Sequence, residues 1–458
     1  MSEPLDNELL TGDLRKNLLK MSIPTMLGFF LQAVYDIVDM IWVGRISASA
    51  VAGVTIFSTV FWMVEVLNEI IGTSSISLIS QNYGMGNTEK TRKVVEQTLT
   101  FKALVAIIAA VFMAFFLEPL LGFFTNEEEV VQAALDYGYI RIFFLPIMFS
   151  SYSVNTALRC LGDAKSPMYI MIAAAITNII LDPLFMFEYF PGTSIPGLNL
   201  GVFGAALATV ISTIVAFSIG FGMLFKGDKK VKISIKGLFS LDWGIDKKLL
   251  TIGLPSGIEI LSRNLASIFT LKFVSLYGTN TVAAMGIGGR LFNFAFMPIM
   301  GIVMGSSTIV GQCLGADDVE RAKDTAKFSA LFNFVMMGIL SIIAIIFPKQ
   351  LMKIFIDDVN VIEVGKSMIQ IMIPALALGG AAMGLGSVFA GSGHNTPFLL
   401  SSLISRWGVQ VPLIFLATKV FHLSVIYVWI SFLVADAAEM LVVFIAYKRG
   451  TWENKRVS

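Results

Sequence analysis

Long apolar runs, separated by short polar connections, dominate the sequence. Twelve runs reach the length of about 20 apolar residues that lets a helix cross a bilayer. In lipid the backbone must satisfy its own hydrogen bonds, and runs of this length do so as helices. The pattern therefore predicts an all-α membrane protein with twelve transmembrane helices, at about 18–41, 51–80, 94–117, 130–154, 168–187, 202–225, 249–276, 282–311, 324–347, 361–388, 398–417 and 424–446.

Composition and loop charges agree with this reading and set an orientation. The chain is 56% hydrophobic and 14% charged, whereas soluble domains carry about 25% charged residues. Lys and Arg residues concentrate on the connections that share a side with both termini, which the positive-inside rule places in the cytoplasm. We expect a multi-pass protein of the cell (inner) membrane. No basic run typical of nucleic-acid binding and no cleavable signal pattern is present.

A charged connection at 226–248, which contains seven lysines, divides the chain into two similar halves. With a shift of 231 residues, Pro24 aligns with Pro255, Phe61 with Phe292, and Gln81 with Gln312. Equal halves in the same orientation predict two pseudo-symmetric six-helix lobes, with the substrate between them. The predicted domains are a cytoplasmic tail at 1–17, an N-lobe at 18–225, the linker at 226–248, a C-lobe at 249–447 and a second cytoplasmic tail at 448–458.

Two carboxylates interrupt the first apolar run. Asp36 and Asp39 lie about 60° apart on one side of the predicted helix. A carboxylate in hydrocarbon costs several kcal/mol, so it usually faces the bundle interior or a water-filled cavity. Either residue could instead lie at the membrane surface and be solvated. The functional alternative is a site that binds a proton or another cation inside the membrane, with Asp36 as a substrate-binding candidate.

The fifth run carries Asp182, with Asn178 one helical turn earlier. Residues four apart share a helix face, so Asn178 could orient Asp182 or help it to hold one cation. Tyr137 and Asn155 in the fourth run could complete such a site, although ordinary hydrogen bonding between helices would also explain them. At the equivalent positions of the second half, Asp39 is replaced by threonine and Asp182 by proline, so the acidic site is asymmetric.

Further ionisable residues mark the second and seventh runs. Glu65 and Glu69, four residues apart, are expected to line a cavity and attract cationic substrates, unless they are solvated positions of a long helix. Glu259 joins these substrate-binding candidates, and its spacing from Arg263 favours an internal ion pair. Arg406 is a further cation of an apolar run and has no evident partner in the sequence.

Signatures of an enzyme or of a transition-metal site are weak. Two cysteines and two histidines are far apart in the chain, and no HExxH, GxSxG or His–Asp arrangement occurs. We therefore expect no catalytic residues, no enzymatic activity and no cofactor beyond a coupling ion. A channel is an alternative, but no repeat resembling a selectivity filter is found.

Several motifs, in their order along the chain, resemble those of the multidrug and toxic compound extrusion (MATE) transporters. They are VDMIWVG after the first-run acid, SQNYGMGN, LRCLGDAKSP and NIILDP, with GQCLGADD and GSGHNTP as counterparts in the second half. The resemblance covers about residues 15–450. The tenth run contains no acid after Glu363, which lies near its start, and this resembles the DinF-like branch more than the branch that places Na⁺ in the C-lobe.

The resemblance implies a V-shaped pair of lobes and export of cationic or amphipathic organic compounds in exchange for H⁺ or Na⁺. It also implies an ion-coupling site at Asp39, Asn178 and Asp182, with Tyr137 and Asn155 nearby. Asp39, Asp182 and Asn178 would be the metal ligands if the ion is Na⁺. We expect a monomer in the lipid bilayer, with organic cations as partners and no nucleic acid. A lipid-linked sugar or lipid flippase of the same superfamily is the alternative function.

Overall fold

The computed structural model describes residues 7–227 and 231–457, so residues 1–6, 228–230 and 458 of the predicted tails and linker lie outside the described residues. The first half of the described chain is helical with short connections, as its apolar runs predict. Its helices are α1 (Glu8–Thr11), α2 (Leu14–Gly44), α3 (Ala48–Gly84), α4 (Thr88–Phe124), α5 (Glu128–Phe143), α6 (Leu145–Cys160), α7 (Lys165–Met186), α8 (Gly201–Lys226) and α9 (Ile235–Leu238).

The second half repeats this arrangement. Its helices are α10 (Trp243–Val274), α11 (Thr279–Gly315), α12 (Val319–Ile346), α13 (Pro348–Lys353), α14 (Val359–Ser392), α15 (Thr396–Leu403), α16 (Val411–Phe415) and α17 (Ile426–Lys448). Two π-helical segments, Ile404–Gln410 and Leu416–Val420, flank α16, and a 3₁₀ turn, Ser275–Tyr277, follows α10. In the described part of the chain, ten helical segments are long and apolar enough to cross a membrane, and the bent pair α5–α6 makes an eleventh. The charged helix α10 completes the twelve predicted spans.

The internal repeat is visible in where the helices begin and end. Both α3 and α11 have 37 residues, and both ends of α11 lie 231 positions after those of α3. The same shift relates the first residues of α4 and α12, and those of α7 and α15. The pseudo-symmetric two-lobe fold class is therefore confirmed. One difference between the halves is that α5 and α6 meet at a 58° bend whereas α14 is continuous. Pro146 lies in the first turn of α6 and has no amide hydrogen to donate back across the bend.

The chain forms two compact units. One contains the described residues through Met26, Gly84–Gly86 and the chain from Ile252 onward; the other contains Leu27–Tyr83 and Asn87–Thr251. The domain bounds drawn from the sequence stay a prediction. The second unit has an apolar core around Phe57, Leu117 and Phe149, and it holds the ion-coupling candidates.

The described part of the linker is fixed to the start of α4 within the second unit. The buried carboxylate of Glu96 accepts hydrogen bonds from the Ser234 backbone N–H (2.6 Å) and hydroxyl (3.0 Å). The Lys93 ammonium donates a 2.5 Å hydrogen bond to Asp242 and lowers the pKa of that carboxyl. A side chain at Gly237 would meet the carboxylate of Glu96, which would then have to move from its place beside Ser234.

Candidate functional site

The two acids predicted to couple ions are buried in the same unit. Asp39, on α2, is 7% exposed, and Asp182, on α7, is fully buried. The Asn178 side-chain amide donates a 3.0 Å hydrogen bond to Asp182 Oδ1, which confirms the pairing expected from their spacing. Asp39 and Asp182 lie close enough to interact electrostatically. The structure thus brings the three principal candidates together.

Hydrogen-bond acceptors without a partner in the described chain distinguish the group formed by Asp39, Asn178 and Asp182. Asp39 Oδ1, Asp182 Oδ2 and Asn178 Oδ1 are buried, and each has no hydrogen-bond partner among the described residues. A buried oxygen without a partner costs about 1–3 kcal/mol. A proton on a carboxylate, or a cation shared by these oxygens, would remove this cost. The site is therefore suited to bind one of the two.

Tyr137, on α5, belongs to the same group. It is 3% exposed, packs edge-to-face against Phe57 with ring centroids 5.6 Å apart, and is an electrostatic neighbour of Asp39. Asn155 lies beyond the bend, on α6. Its Oδ1 is also buried without a partner in the described chain, and no hydrogen bond joins it there to Asp39 or Asp182. The structure brings Tyr137 to the acids, and the place of Asn155 in the site stays a prediction.

The exposed acids form a second, more open group, which we call the acidic wall: Asp36, Glu65 and Glu69. Asp36 and Glu69 are exposed and Glu65 is half-buried. Carboxylates exposed along membrane helices face water rather than lipid, because lipid cannot solvate them. All three interact electrostatically with Tyr152, which places them in one neighbourhood of the second unit. The amide of Asn68 donates a 2.9 Å hydrogen bond to Glu65 and holds that side chain.

Two cations accompany these acids, and the sequence analysis missed both. Arg141, on α5, interacts electrostatically with Asp36, Asp39 and Glu65. Lys102, on α4, is 1% exposed and interacts with Glu65 and Glu69. Both could have been predicted, because Lys102 and Arg141 each interrupt an apolar run, and a cation inside such a run is as costly as an acid there.

The remaining substrate-binding candidate, Glu259, lies in the other compact unit. Arg263 bonds Glu259 at 2.7 Å, as their spacing predicts, and also Glu439 on α17 at 2.9 Å. Arg406, for which the sequence suggests no partner, bonds Asp436 at 2.7 Å and Glu439 at 3.3 Å. We call these five residues the paired network. The π-helical segment Ile404–Gln410 carries Arg406, and Ser405 donates a further 3.3 Å hydrogen bond to Glu439.

The two buried groups differ in whether they can bind a further cation. Asp39 and Asp182 have acceptor oxygens without a partner among the described residues, whereas arginines already bond the carboxylates of the paired network. Among the described residues no cluster of three or more His, Cys, Asp or Glu could hold a metal ion. A cation bound at the N-lobe group, by which we mean Asp39, Asn178 and Asp182, would therefore be held by the two carboxylates and by amide or hydroxyl oxygens.

The family model MatE matches residues 24–184 and 255–416, two segments whose starts differ by the 231-residue repeat. The chain belongs to the MATE family of membrane transporters. The probable multidrug resistance protein YoeA of Bacillus subtilis is 29% identical over 439 residues, which cover 95% of this chain and 94% of YoeA. A FAD transporter of Shewanella oneidensis is 26% identical over 360 residues, which cover 78% of this MATE chain and 77% of the FAD transporter.

The fold of this MATE protein matches solved transporters over nearly its whole length. A MOP-superfamily transporter from Pyrococcus furiosus, described as having a binding pocket of reversed polarity, superposes with a TM-score of 0.88 at 25% identity and covers 96% of this chain and 97% of its own. MATE proteins are multi-pass membrane transporters that handle small organic compounds, and their homologues are not enzymes. These similarities do not separate the branches of the family, so the DinF-like assignment stays a prediction.

Proposed function

We propose that the protein is a secondary active antiporter that exports cationic or amphipathic organic compounds in exchange for H⁺ or Na⁺ by alternating access. The observation that carries this proposal is the pair of buried carboxylates, Asp39 and Asp182, whose oxygens are unsatisfied and which have no ion-paired cation among the described residues. An acid retained inside a membrane span at this cost is a functional-site hypothesis by default. The MATE relatives named as multidrug resistance proteins support the substrate class.

Coupling follows from competition for these charges. With Asp39 and Asp182 ionised, the N-lobe attracts a cationic substrate. When H⁺ or Na⁺ neutralises them, the attraction weakens and the substrate leaves. Oxygen ligands suit a hard cation, and Asp39, Asp182 and Asn178 supply buried oxygens of that kind. The acidic wall would hold the positive part of the substrate, and Glu259, paired with Arg263, would take a smaller share in binding than the sequence suggests.

Transport in proteoliposomes tests the proposal. A fluorescent organic cation is followed while a pH gradient and a Na⁺ gradient are imposed separately. We expect one gradient to drive export, and Asp39→Asn and Asp182→Asn each to abolish the driven component while the protein remains folded. Arg45→Gln, at an exposed span end where Arg45 stacks on Trp42, is the matched control and should transport normally. Wild-type rates in either well-folded Asn variant would overturn the assignment.

We further propose that both termini and the linker face the cytoplasm and that the protein functions as a monomer without a nucleic-acid partner. The distribution of Lys and Arg supports this orientation. The linker reporter should be a cysteine at exposed Lys236 rather than at Gly237, where any side chain meets Glu96. Labelling of the Lys236 position from outside intact cells by an impermeant reagent would contradict the orientation.

A further inference from the structure

Arg141 is a fixed cation on the side of the N-lobe that also carries the acidic wall. Its guanidinium carbon lies 4.9 Å from the Phe61 ring centroid, 5.2 Å from that of Tyr137 and 5.9 Å from that of Phe57. One guanidinium N–H donates a 3.1 Å hydrogen bond to the Tyr137 hydroxyl. Stacking on aromatic faces and this bond hold the planar group in place. The side chain is half-buried, so part of it remains open to solvent.

Arg141 also differs from the other arginines that interact with acids inside the spans. Within the described spans, Arg263 and Arg406 bond carboxylates directly, at 2.7–3.3 Å. Arg141 forms no such ion pair with any described residue, although Asp36, Asp39 and Glu65 are its electrostatic neighbours. Its Nε is buried without a hydrogen-bond partner in the described chain. The guanidinium thus retains donors that no carboxylate of the protein has taken.

The charges nearby limit which ligand would suit these donors. The acidic wall contributes three carboxylates, and Lys102 lies behind Glu65 and Glu69 as a second resident cation. With these five groups ionised, the two cations balance two of the three carboxylates, so the wall favours a ligand that carries a negative as well as a positive charge. A planar guanidinium matches a carboxylate or a phosphate through paired N–H···O bonds.

We propose that Arg141 makes the N-lobe site selective for organic ampholytes, which carry a carboxylate or phosphate as well as a cationic nitrogen. The anionic group binds the Arg141 guanidinium, and the cationic part lies against Asp36, Glu65 and Glu69. Arg141 is thereby a specificity-determining residue. This inference rests on the proposed export function and names the substrate class of that same site.

A pair of dyes that differ in one group provides the test. Tetramethylrhodamine with a free carboxylate is zwitterionic, and its ethyl ester is a cation with the same ring system. Binding of each dye to the purified protein, and its export from proteoliposomes, are measured for wild type, Arg141→Gln, Arg141→Lys and Arg45→Gln. Arg45 also stacks on an aromatic ring, with its guanidinium carbon 4.5 Å from the Trp42 centroid, but lies exposed at a span end, so its variant is the matched control.

We expect Arg141→Gln to weaken binding of the zwitterion by about tenfold, the loss expected for one charge-assisted contact. Its binding of the ester should be equal or tighter, which also shows that the variant is folded. Arg141→Lys should retain most of the preference, and Arg45→Gln all of it. Equal losses for both dyes in Arg141→Gln would overturn the role of Arg141 alone. A wild-type protein that binds and exports neither dye would overturn the export function, and the inference with it.

Discussion

The two compact units each contain a buried cluster of ionisable side chains, and the clusters are built in opposite ways. In the paired network, every carboxylate bonds at least one arginine: Glu439 bonds two, Asp436 one and Glu259 one. In the N-lobe group, Asp39 and Asp182 bond no cation, and each leaves one oxygen without a partner in the described chain. The repeat supplies both halves with similar helices, so this difference lies in the side chains and not in the scaffold.

The difference indicates which cluster serves stability and which serves transport. A buried ion pair is weak evidence for net stability, yet removal of one partner costs about 3–5 kcal/mol because it leaves an uncompensated charge. An unpaired buried acid is costly as it stands, and it can bind a proton or a cation without breaking another contact. This comparison is the basis on which we propose a structural role for the paired network and a coupling role for Asp39 and Asp182.

The largest effect is expected from matched arginine substitutions in the two units. Arg406→Gln should destabilise the protein by about 3–5 kcal/mol, because Asp436 and Glu439 lose a charge partner. Arg141→Gln should cost about 1–2 kcal/mol, the scale of its contacts with aromatic rings. Thermal unfolding in detergent, followed by fluorescence, measures both. Equal destabilisation would remove the distinction between paired and unpaired clusters.

An intermediate effect is expected from two buried asparagines. Asn178 bonds Asp182, whereas Asn333 on α12 donates a 3.1 Å hydrogen bond to the Gly380 carbonyl. Both side chains are fully buried, and the Oδ1 of each has no partner among the described residues. Each change to Ala should cost about 1–3 kcal/mol of stability. Only Asn178→Ala should also reduce ion-driven export per folded molecule, by several-fold, because Asp182 loses its orienting amide. A similar loss of export in Asn333→Ala would show that the effect is merely structural.

The smallest effect is expected at the repeat position of Asp39. Thr270 is 1% exposed, and its hydroxyl is buried without a partner in the described chain. Thr270→Val keeps the shape and removes that hydroxyl, so stability should rise by up to about 1 kcal/mol and export should not change. The same export and unfolding assays compare it with Asp39→Asn. A loss of export in Thr270→Val would place part of the coupling site in the second half.

The apolar pattern was sufficient to predict the twelve spans, because lipid leaves a chain of this composition few alternatives to helices. Contacts between residues four apart on one helix could also be predicted, and the Asn178–Asp182 and Glu259–Arg263 pairs both form. Asp36, Asp39 and Asp182 were found because each interrupts an apolar run. These signals are local, and the residues that carry them lie within one helix.

Contacts between helices could not be predicted in this way. Arg263 and Glu439 are 176 residues apart, and neither spacing nor periodicity relates them. Glu259 looked like a cavity residue because the bond from Arg263 to Glu439 could not be foreseen, but the structure buries Glu259 beside Arg263. Arg141 and Lys102 were within reach, since each interrupts an apolar run as the acids do. The 58° bend at Phe144 depends on packing as well as on Pro146, because α14 contains Pro374 and continues.

The central claim is that a coupling ion and a substrate compete for Asp39 and Asp182. Linkage requires that each weaken binding of the other by the same factor. Calorimetry in detergent tests this directly, by measuring the affinity for a fluorescent organic cation across pH and across Na⁺ concentration. We predict that affinity falls as H⁺ or Na⁺ rises in the wild type, and that this dependence disappears in the Asp39→Asn, Asp182→Asn double variant. A wild-type affinity that neither ion changes would contradict direct competition, and coupling would then have to use other residues.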